Sequence, residues 1–563
     1  MAESRERADV TDTSVPSNKQ WTRAHGWFLT AVLASVLPAA LVLLLPSGAM
    51  AQDKIDDEEK MPESQVGSVS DAAEPDSEGA GLGLSAIPPV EFSGYGDLAE
   101  GYSTNSQGTA GSAGKDDTFT RGRIGFDLRY VKPRLTANLS YSLTGTYWSK
   151  FHRQNHLTNR LNLATRLIAI PDMLFVSANA FAAPADLTRL GPSSASGEPI
   201  SRFNSRDTYG YSVRPQFVLQ FKDYLKNSLT VSHSAVFFVR PSTDPTAPPP
   251  PIAPARDALT TSVMDELSSG SNFDRVKFSV IGSYTQSSQS VRSQRVAEAL
   301  GNISYAVTRF LKVFGTGGYS DFKSSQKLAK DLSGPTGLGG VTLSDGPDFE
   351  LTAEAGVQNN FPTYMGSLRW VISPLTRIVA RATDSITTPQ GDILSRLAQM
   401  GGGDFTNIGT GLGAGGNTPL SPGGLALDNS IYRIRSIDAS LVHTGESTTY
   451  TASLFANERD RLDVTPGTVV LPRTSVYGVR TAASHKLGAN LTATASATYS
   501  LGNEFGGHDR VFYGDAGLNY RLSETIDLYL TDHYTHRESK NLVGFSNAPV
   551  SEDQVIVGIR AHF

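Results

Sequence analysis

The sequence predicts an all-β protein: a transmembrane antiparallel up-and-down β-barrel of about 20 strands, with a range of about 16 to 22. Three observations carry that expectation. From Val90 onward, segments of 10 to 15 residues alternate apolar and polar side chains, the period of a strand with two different faces. Soluble strands average ~5–6 residues, whereas a strand crossing a bilayer needs about 9 to 11. The connections alternate between tight turns and long polar loops, which is the layout of a membrane barrel. Because hydrocarbon offers no partner to unpaired backbone, such a sheet must close on itself.

The chain begins with a polar stretch carrying Arg5, Arg7, Lys19 and Arg23, followed by an apolar run from Trp27 to Pro46 that Pro38 interrupts. Ala49 and Ala51 form a small-x-small site, so cleavage is expected between Ala51 and Gln52 and residues 1–51 read as a secretory signal peptide. The competing reading is an uncleaved anchor, since about 20 apolar residues can span a bilayer. Residues 52–89 open with Asp56, Asp57, Glu58 and Glu59 nearby and become Gly/Ser-rich. They cannot build a core and predict a disordered acidic periplasmic tail. The barrel is expected over 90–563.

Leu135 to Tyr147 shows the barrel pattern plainly, with Leu135, Ala137, Leu139, Tyr141 and Leu143 on one face and Thr136, Asn138, Ser140, Ser142 and Thr144 on the other. Asn490 to Leu501 repeats it, as do Ile124–Tyr130, Leu157–Ala169, Tyr209–Phe221 and Val276–Tyr284. Tight links fall at Lys132–Arg134, Pro171–Asp172, Asp223–Asn227, Thr308–Arg309, Pro374–Thr376, His485–Gly488 and Ser523–Thr525. Long loops are expected at 104–117, 184–205, 241–256, 324–348, 388–430, 459–473 and 538–552, and Phe349–Phe361 reads as either a hairpin arm or loop. No clear amphipathic helix follows the signal peptide. An even strand count puts both ends of the barrel on the periplasmic rim.

The last strand, DQVIVGIRAHF, sets Val555, Val557, Ile559, Ala561 and Phe563 on one face. It resembles the closing strand of Gram-negative outer-membrane barrels, and the resemblance implies that Val557, Gly558, Ile559 and Phe563 form the signal read by the outer-membrane assembly machinery. Glu266–Val280 (ELSSGSNFDRVKFSV), Asn302–Tyr319 (NISYAVTRFLKVFGTGGY) and Arg369–Ala380 (RWVISPLTRIVA) resemble the outer-membrane β-barrel family associated with PEP-CTERM and exopolysaccharide systems. Phe278 stands where that family would carry Trp, and Thr104 where it tends to carry Asp. The resemblance implies a porin-like role in passing exopolysaccharide, with periplasmic export components as partners.

Function in a barrel would lie in its lumen. If Ile124, Phe126, Leu128 and Tyr130 face lipid, parity turns Arg123, Asp127 and Arg129 inward, with Arg160, Arg166, Arg214, Lys277, Asp515 and Arg521 as further channel-lining candidates. The alternative is that such charges only solvate the wet face and pair across strands. Tyr147, Tyr284, Tyr305, Trp370, Tyr499, Tyr520, Tyr534 and Phe563 sit near strand ends, as girdle aromatics do; sugar-stacking platforms are the other reading.

The chain has no cysteine and a net charge of −6, which excludes disulfides and thiolate chemistry and gives no sign of nucleic acid binding. Gly411, Gly413 and Gly416 match GxGxxG by letter, but no strand–helix context surrounds them. Pro248–Pro251 stiffens a loop. His533 and His536 fall on opposite faces of a strand, and His508, Asp509 and Arg510 read as loop, so neither a metal site nor a cofactor is expected. There is no GxSxG elbow. The leading expectation is a non-enzymatic outer-membrane barrel passing a polar solute. A plugged barrel acting as a surface scaffold or adhesin is the second reading, and an outer-membrane lipase the third.

Overall fold

A computed structural model of the chain describes residues 90–107, 114–186, 205–239, 256–289, 292–399, 430–463, 473–504, 507–540 and 549–563. The expected cleavage site at Ala49 and Ala51, the acidic tail 52–89, the proline run 248–251 and the glycines 411–416 lie outside the described residues.

The described chain is a closed sheet of 22 antiparallel strands. In order these are β1 (Val90–Ser103), β2 (Asp117–Lys132), β3 (Leu135–Trp148), β4 (His156–Ile170), β5 (Leu174–Asp186), β6 (Ser205–Phe221), β7 (Leu225–Val239) and β8 (Ala258–Ser269). They continue as β9 (Val276–Gln289), β10 (Arg292–Ala306), β11 (Leu311–Ser324), β12 (Gly334–Ser344), β13 (Phe349–Gln358), β14 (Phe361–Ser373) and β15 (Thr376–Thr387). After the helix α1 (Pro389–Gln399) come β16 (Tyr432–Thr444), β17 (Thr448–Arg461), β18 (Thr474–Lys486), β19 (Leu491–Glu504), β20 (Gly507–Arg521), β21 (Ile526–Lys540) and β22 (Val550–His562). Each strand pairs with its sequence neighbours, and β1 closes the sheet on β22 through a register that includes Asp97↔Arg560 and Gly101↔Ile556.

The alternation in the sequence is what builds this wall. Directly paired residues share a face, so the register from Asp97↔Arg123 to Arg123↔Thr144 to Thr144↔Thr158 traces one continuous inner face. The opposite face carries Leu98, Ile124, Leu157, Ile303, Ile437, Leu454, Val557 and Ile559, all exposed. All eight girdle aromatics predicted from sequence are exposed as well, on that outer face. With strands ~4.8 Å apart and tilted about 40°, 22 strands give a cylinder roughly 45 Å across between backbone centres.

Two expectations about the elements are corrected. The stretch 324–348, expected as loop, contains β12, and Phe349–Gln358 is a full strand beside it, which raises the count from about 20 to 22. Loop 388–430 begins with α1, although no amphipathic helix was expected there. Thr388 caps that helix by accepting the Gly391 N–H at 3.1 Å, Pro389 occupies the first helical position, and Asp392 lies in the first turn, each a favoured choice at a helix start. Smaller shifts extend strands into the expected loops: His508, Asp509 and Arg510 belong to β20, His485 and Lys486 to β18, and Arg459–Arg461 to β17.

Candidate functional site: the lumen wall and its mouth

Register places each predicted lining residue on the inner face. Arg123, Asp127 and Arg129 share that face of β2 with Arg121, Arg160 and Arg166 lie on β4, and Arg214 lies opposite Ser177 on β6. Lys277 pairs with Ser304, and Asp515 with Ser496 and His533; Arg521 pairs with Asp527 near the periplasmic rim. The structure does not bring these nine together. Six inward arginines (Arg121, Arg123, Arg129, Arg160, Arg166, Arg214) cluster on the wall β2–β6, whereas Lys277, Asp515 and Arg521 belong to other sectors.

On the basic wall, Arg123 Nε donates to Thr144 Oγ1 at 3.1 Å, and Arg129 reaches Glu91 at 3.5 Å. Asp117, at the upper end of β2, accepts the N–H groups of Lys150 and Phe151 at 3.0 Å each and so holds the rim loop after β3. Arg166 lies over the Phe175 ring at 5.9 Å.

The seam is stitched from inside by residues absent from the sequence-based set. Tyr529 Oη donates to Asp97 Oδ1 at 2.9 Å and accepts from Arg121 at 3.2 Å. Arg560 donates to Asp97 Oδ2 at 3.4 Å and lies 5.5 Å from both the Tyr95 and Tyr529 rings. Gly558, one of the predicted assembly-signal residues, faces inward beneath Tyr529, where an added Cβ would sit 2.4 Å from the ring. Its companions Val557, Ile559 and Phe563 are exposed on the outer face.

Further along the wall, Asp515 accepts from Ser496 Oγ at 2.6 Å and contacts His533 Nδ1 at 2.6 Å. The carboxylate sits between hydroxyl and imidazole and orients both. Among the described residues, no group of three or more His, Asp and Glu side chains could hold a metal ion.

Two inward folds shape the extracellular mouth. In the first, α1 lies on the inner wall with Ile393, Leu394 and Leu397 buried against Phe181, Ala183, Val236, Phe238 and Ala258. Asn179 of β5 donates to the Leu397 carbonyl at 3.2 Å, which satisfies an end-of-helix acceptor, and Gln390 bonds Gln289 and the Arg256 carbonyl at 3.3 Å each. Gly210 makes this possible: a Cβ there would meet the Phe181 ring at 2.3 Å.

In the second fold, the Asp463 carboxylate, fully buried, joins Arg292 at 3.1 Å and Arg461 at 3.0 Å and accepts the Ile431 N–H at 3.2 Å. The Ala329 N–H donates to the Leu462 carbonyl at 2.8 Å, and Phe322, Leu332, Ile431 and Leu462 form a small apolar core beside it. The top of β10 is thereby tied to the end of β17, several strands away around the wall. Thr388 followed by Pro389, a pairing favoured at helix starts, is the kind of signal that could have found the first fold; nothing local points to the second.

No protein-family model and no curated protein matches the chain. Among solved structures it is similar to the siderophore receptor PirA from Acinetobacter baumannii, at TM-score 0.43 and 10% identity over 83% of this chain and 80% of that one. It is also similar to the FrpB iron transporter from Neisseria meningitidis, at TM-score 0.38 and 9% identity over 84% and 82%. A loop-deletion variant of OmpT, an outer membrane protein of Vibrio cholerae, gives TM-score 0.28 and 9% identity over 84% and 100%. The closed sheet, the apolar outer face and the exposed rim aromatics make this chain a Gram-negative outer-membrane β-barrel.

Proposed function

We propose that the barrel is a porin-like passive path for a polar solute, associated with exopolysaccharide export. One observation carries the reading. The inner face is lined along its height by charged and hydroxyl side chains, with Asp127, Arg129, Arg166 and Arg214 exposed to the lumen. Apolar side chains would suffice to fill a structural core; exposed guanidinium groups suit a wet passage. The sequence resemblance to barrels of exopolysaccharide systems supports that choice of solute, and the C-terminal strand fits a signal for the assembly machinery. The protein acts as a conduit in this reading, without chemistry of its own.

Planar-bilayer conductance of the refolded barrel, with and without residues 52–88, tests the proposal. Steady conductance supports it; a folded barrel that never conducts overturns it. The second reading, a closed barrel presenting surface loops to a partner, is favoured by the inward fold of α1 and the Asp463 tie. Barrels of 22 strands in outer-membrane transporters have plugged lumens. In that case the non-conducting barrel would keep its surface loops as the functional element.

A further inference from the structure

We propose that the inner face of β4–β6 is a subsite for the carboxylate groups of an acidic saccharide, clamped between Arg166 and Arg214. The proposal rests on the solute-path reading and names the class of solute. Thr136, Arg166, Ser177 and Arg214 stand in one row across β3, β4, β5 and β6. Two strand spacings therefore separate the arginines, about 10 Å between backbones. Long guanidinium side chains on such a row can reach a common ligand from both sides.

Several arginines elsewhere among the described residues are matched by carboxylates. Arg433 joins Asp384, Arg560 joins Asp97, Arg435 joins Asp460, and Arg292 and Arg461 share Asp463. Arg166 and Arg214 are both exposed to the lumen, and neither makes an ion pair among the described residues. The inward carboxylates on the flanking strands, Asp127 on β2 and Glu266 on β8, each lie two strands and four residues off the row, roughly 16 Å away. At that distance, beyond a Debye length of about 8 Å at physiological salt, they neutralise little.

The surroundings of the pair suit a sugar. The Phe175 ring lies beneath Arg166 and supports its guanidinium from the wall side. Gln216, paired with Phe175 on the same face, donates to Ser228 Oγ at 2.9 Å and presents its carbonyl to ligand hydroxyls. Planar guanidinium groups bind carboxylates bidentately and more strongly than neutral donors do. The row lies in the periplasmic half of the wall, only a few residues above the turn Pro171–Met173, so a chain arriving from the periplasm would meet it early.

The test uses the full chain in planar bilayers, with polygalacturonate as the acidic probe and dextran as the neutral one. Polygalacturonate added on the periplasmic side is expected to block at lower concentration than dextran. Arg166→Ala with Arg214→Ala is expected to raise its blocking concentration by about tenfold or more, the scale of one lost charge-assisted hydrogen bond, while dextran block stays unchanged. Arg435→Ala, which removes an arginine already matched by Asp460, serves as the control. Equal block by both polymers, or a double variant indistinguishable from wild type, overturns the subsite and leaves the pore intact. If the wild type never conducts, the pore reading fails, and binding of a labelled oligogalacturonate to the folded barrel decides the subsite alone. About tenfold weaker binding by the double variant supports it, and unchanged binding overturns it. Heat-modifiable gel mobility confirms folding of every variant.

Discussion

Leu397 is the side chain on which the docking of α1 turns. It is fully buried against the inner wall, its carbonyl is held by Asn179, and Ile393 and Leu394 pack beside it. Truncating a buried leucine to alanine costs about 2–5 kcal/mol, depending on how far the site can collapse. The barrel's backbone ladder does not pass through α1, so that cost should fall on docking alone and the sheet should stay closed. At 1.4 kcal/mol per factor of ten, the undocked population rises by roughly 30-fold to several thousand-fold. Limited proteolysis of folded barrels should then nick Leu397→Ala within loop 388–430 far faster than wild type. Single-channel recordings should show larger or noisier openings. Leu397→Met, which keeps the volume, should behave nearly as wild type, with a cost below about 1.5 kcal/mol. If Leu397→Ala is cut no faster than Leu397→Met, the helix is not held by this contact. If instead the whole barrel loses its heat-modifiable form, α1 is part of the sheet's stability and its docking is not separable from closure.

Other predictions follow from the wall itself. The chain has no cysteine, so Leu98→Cys with Ile559→Cys, directly paired across β1 and β22, should oxidise to an intramolecular disulfide visible as a gel shift; paired Cα atoms ~4.5–5.5 Å apart suit the bond. Failure to cross-link would break the closure. Leu139→Arg points a charge into lipid and should destabilise the membrane-inserted barrel by about 2–4 kcal/mol if it lies near the midplane. Ser140→Arg, one residue on and opposite Asp127, should be tolerated; equal urea midpoints for the two would contradict the assigned faces. Gly558→Val forces a side chain into the Tyr529 ring and should cost on the order of 1–3 kcal/mol as overpacking, read as a lower melting temperature of the closed form. Asp463→Ala strands Arg292 and Arg461 beside a buried gap and should loosen the mouth by about 3–5 kcal/mol, measured as faster protease cleavage after residue 462; unchanged cleavage would show that the tie is incidental.

Much of this architecture was legible because membrane strands write their two faces directly into period two. Leu135–Tyr147 and Asn490–Leu501 need no context to be read, and parity alone turned Arg123, Arg129 and Arg166 inward. β12 was missed for a physical reason. Its sequence, GPTGLGGVTLS, places Gly337 and Gly339 on the outer face, so the apolar half of the alternation is missing and glycine reads as loop. His508–Arg510 reads as loop because it is polar, yet a strand can run past the hydrocarbon into water and keep its ladder. The ties of the mouth are different in kind: Arg292 and Asp463 are 171 residues apart, and no local pattern announces that one will neutralise the other. Asp97, Tyr529 and Arg560 were hidden for the same reason, since their meeting depends on closure.

That closure has a consequence for how the protein comes into being. Every other pairing in the sheet joins sequence neighbours, mostly through links of a few residues, while Asp97 and Arg560 meet across 463 positions. The chain-entropy cost of joining ends grows as (3/2)RT ln n, about 5 kcal/mol for the seam against about 1 for a four-residue turn. The barrel can therefore grow as a widening ribbon by cheap local steps, and only the final zip is expensive. Until then β1 and β22 each offer a bare edge of N–H and C=O groups to any passing strand. A ribbon of 22 strands joined by 21 ladders differs from the finished wall by a single ladder, yet it is the most dangerous thing this chain can be. The inner stitch of Tyr95, Asp97, Tyr529 and Arg560 is then a latch that engages only once the two edges have found each other.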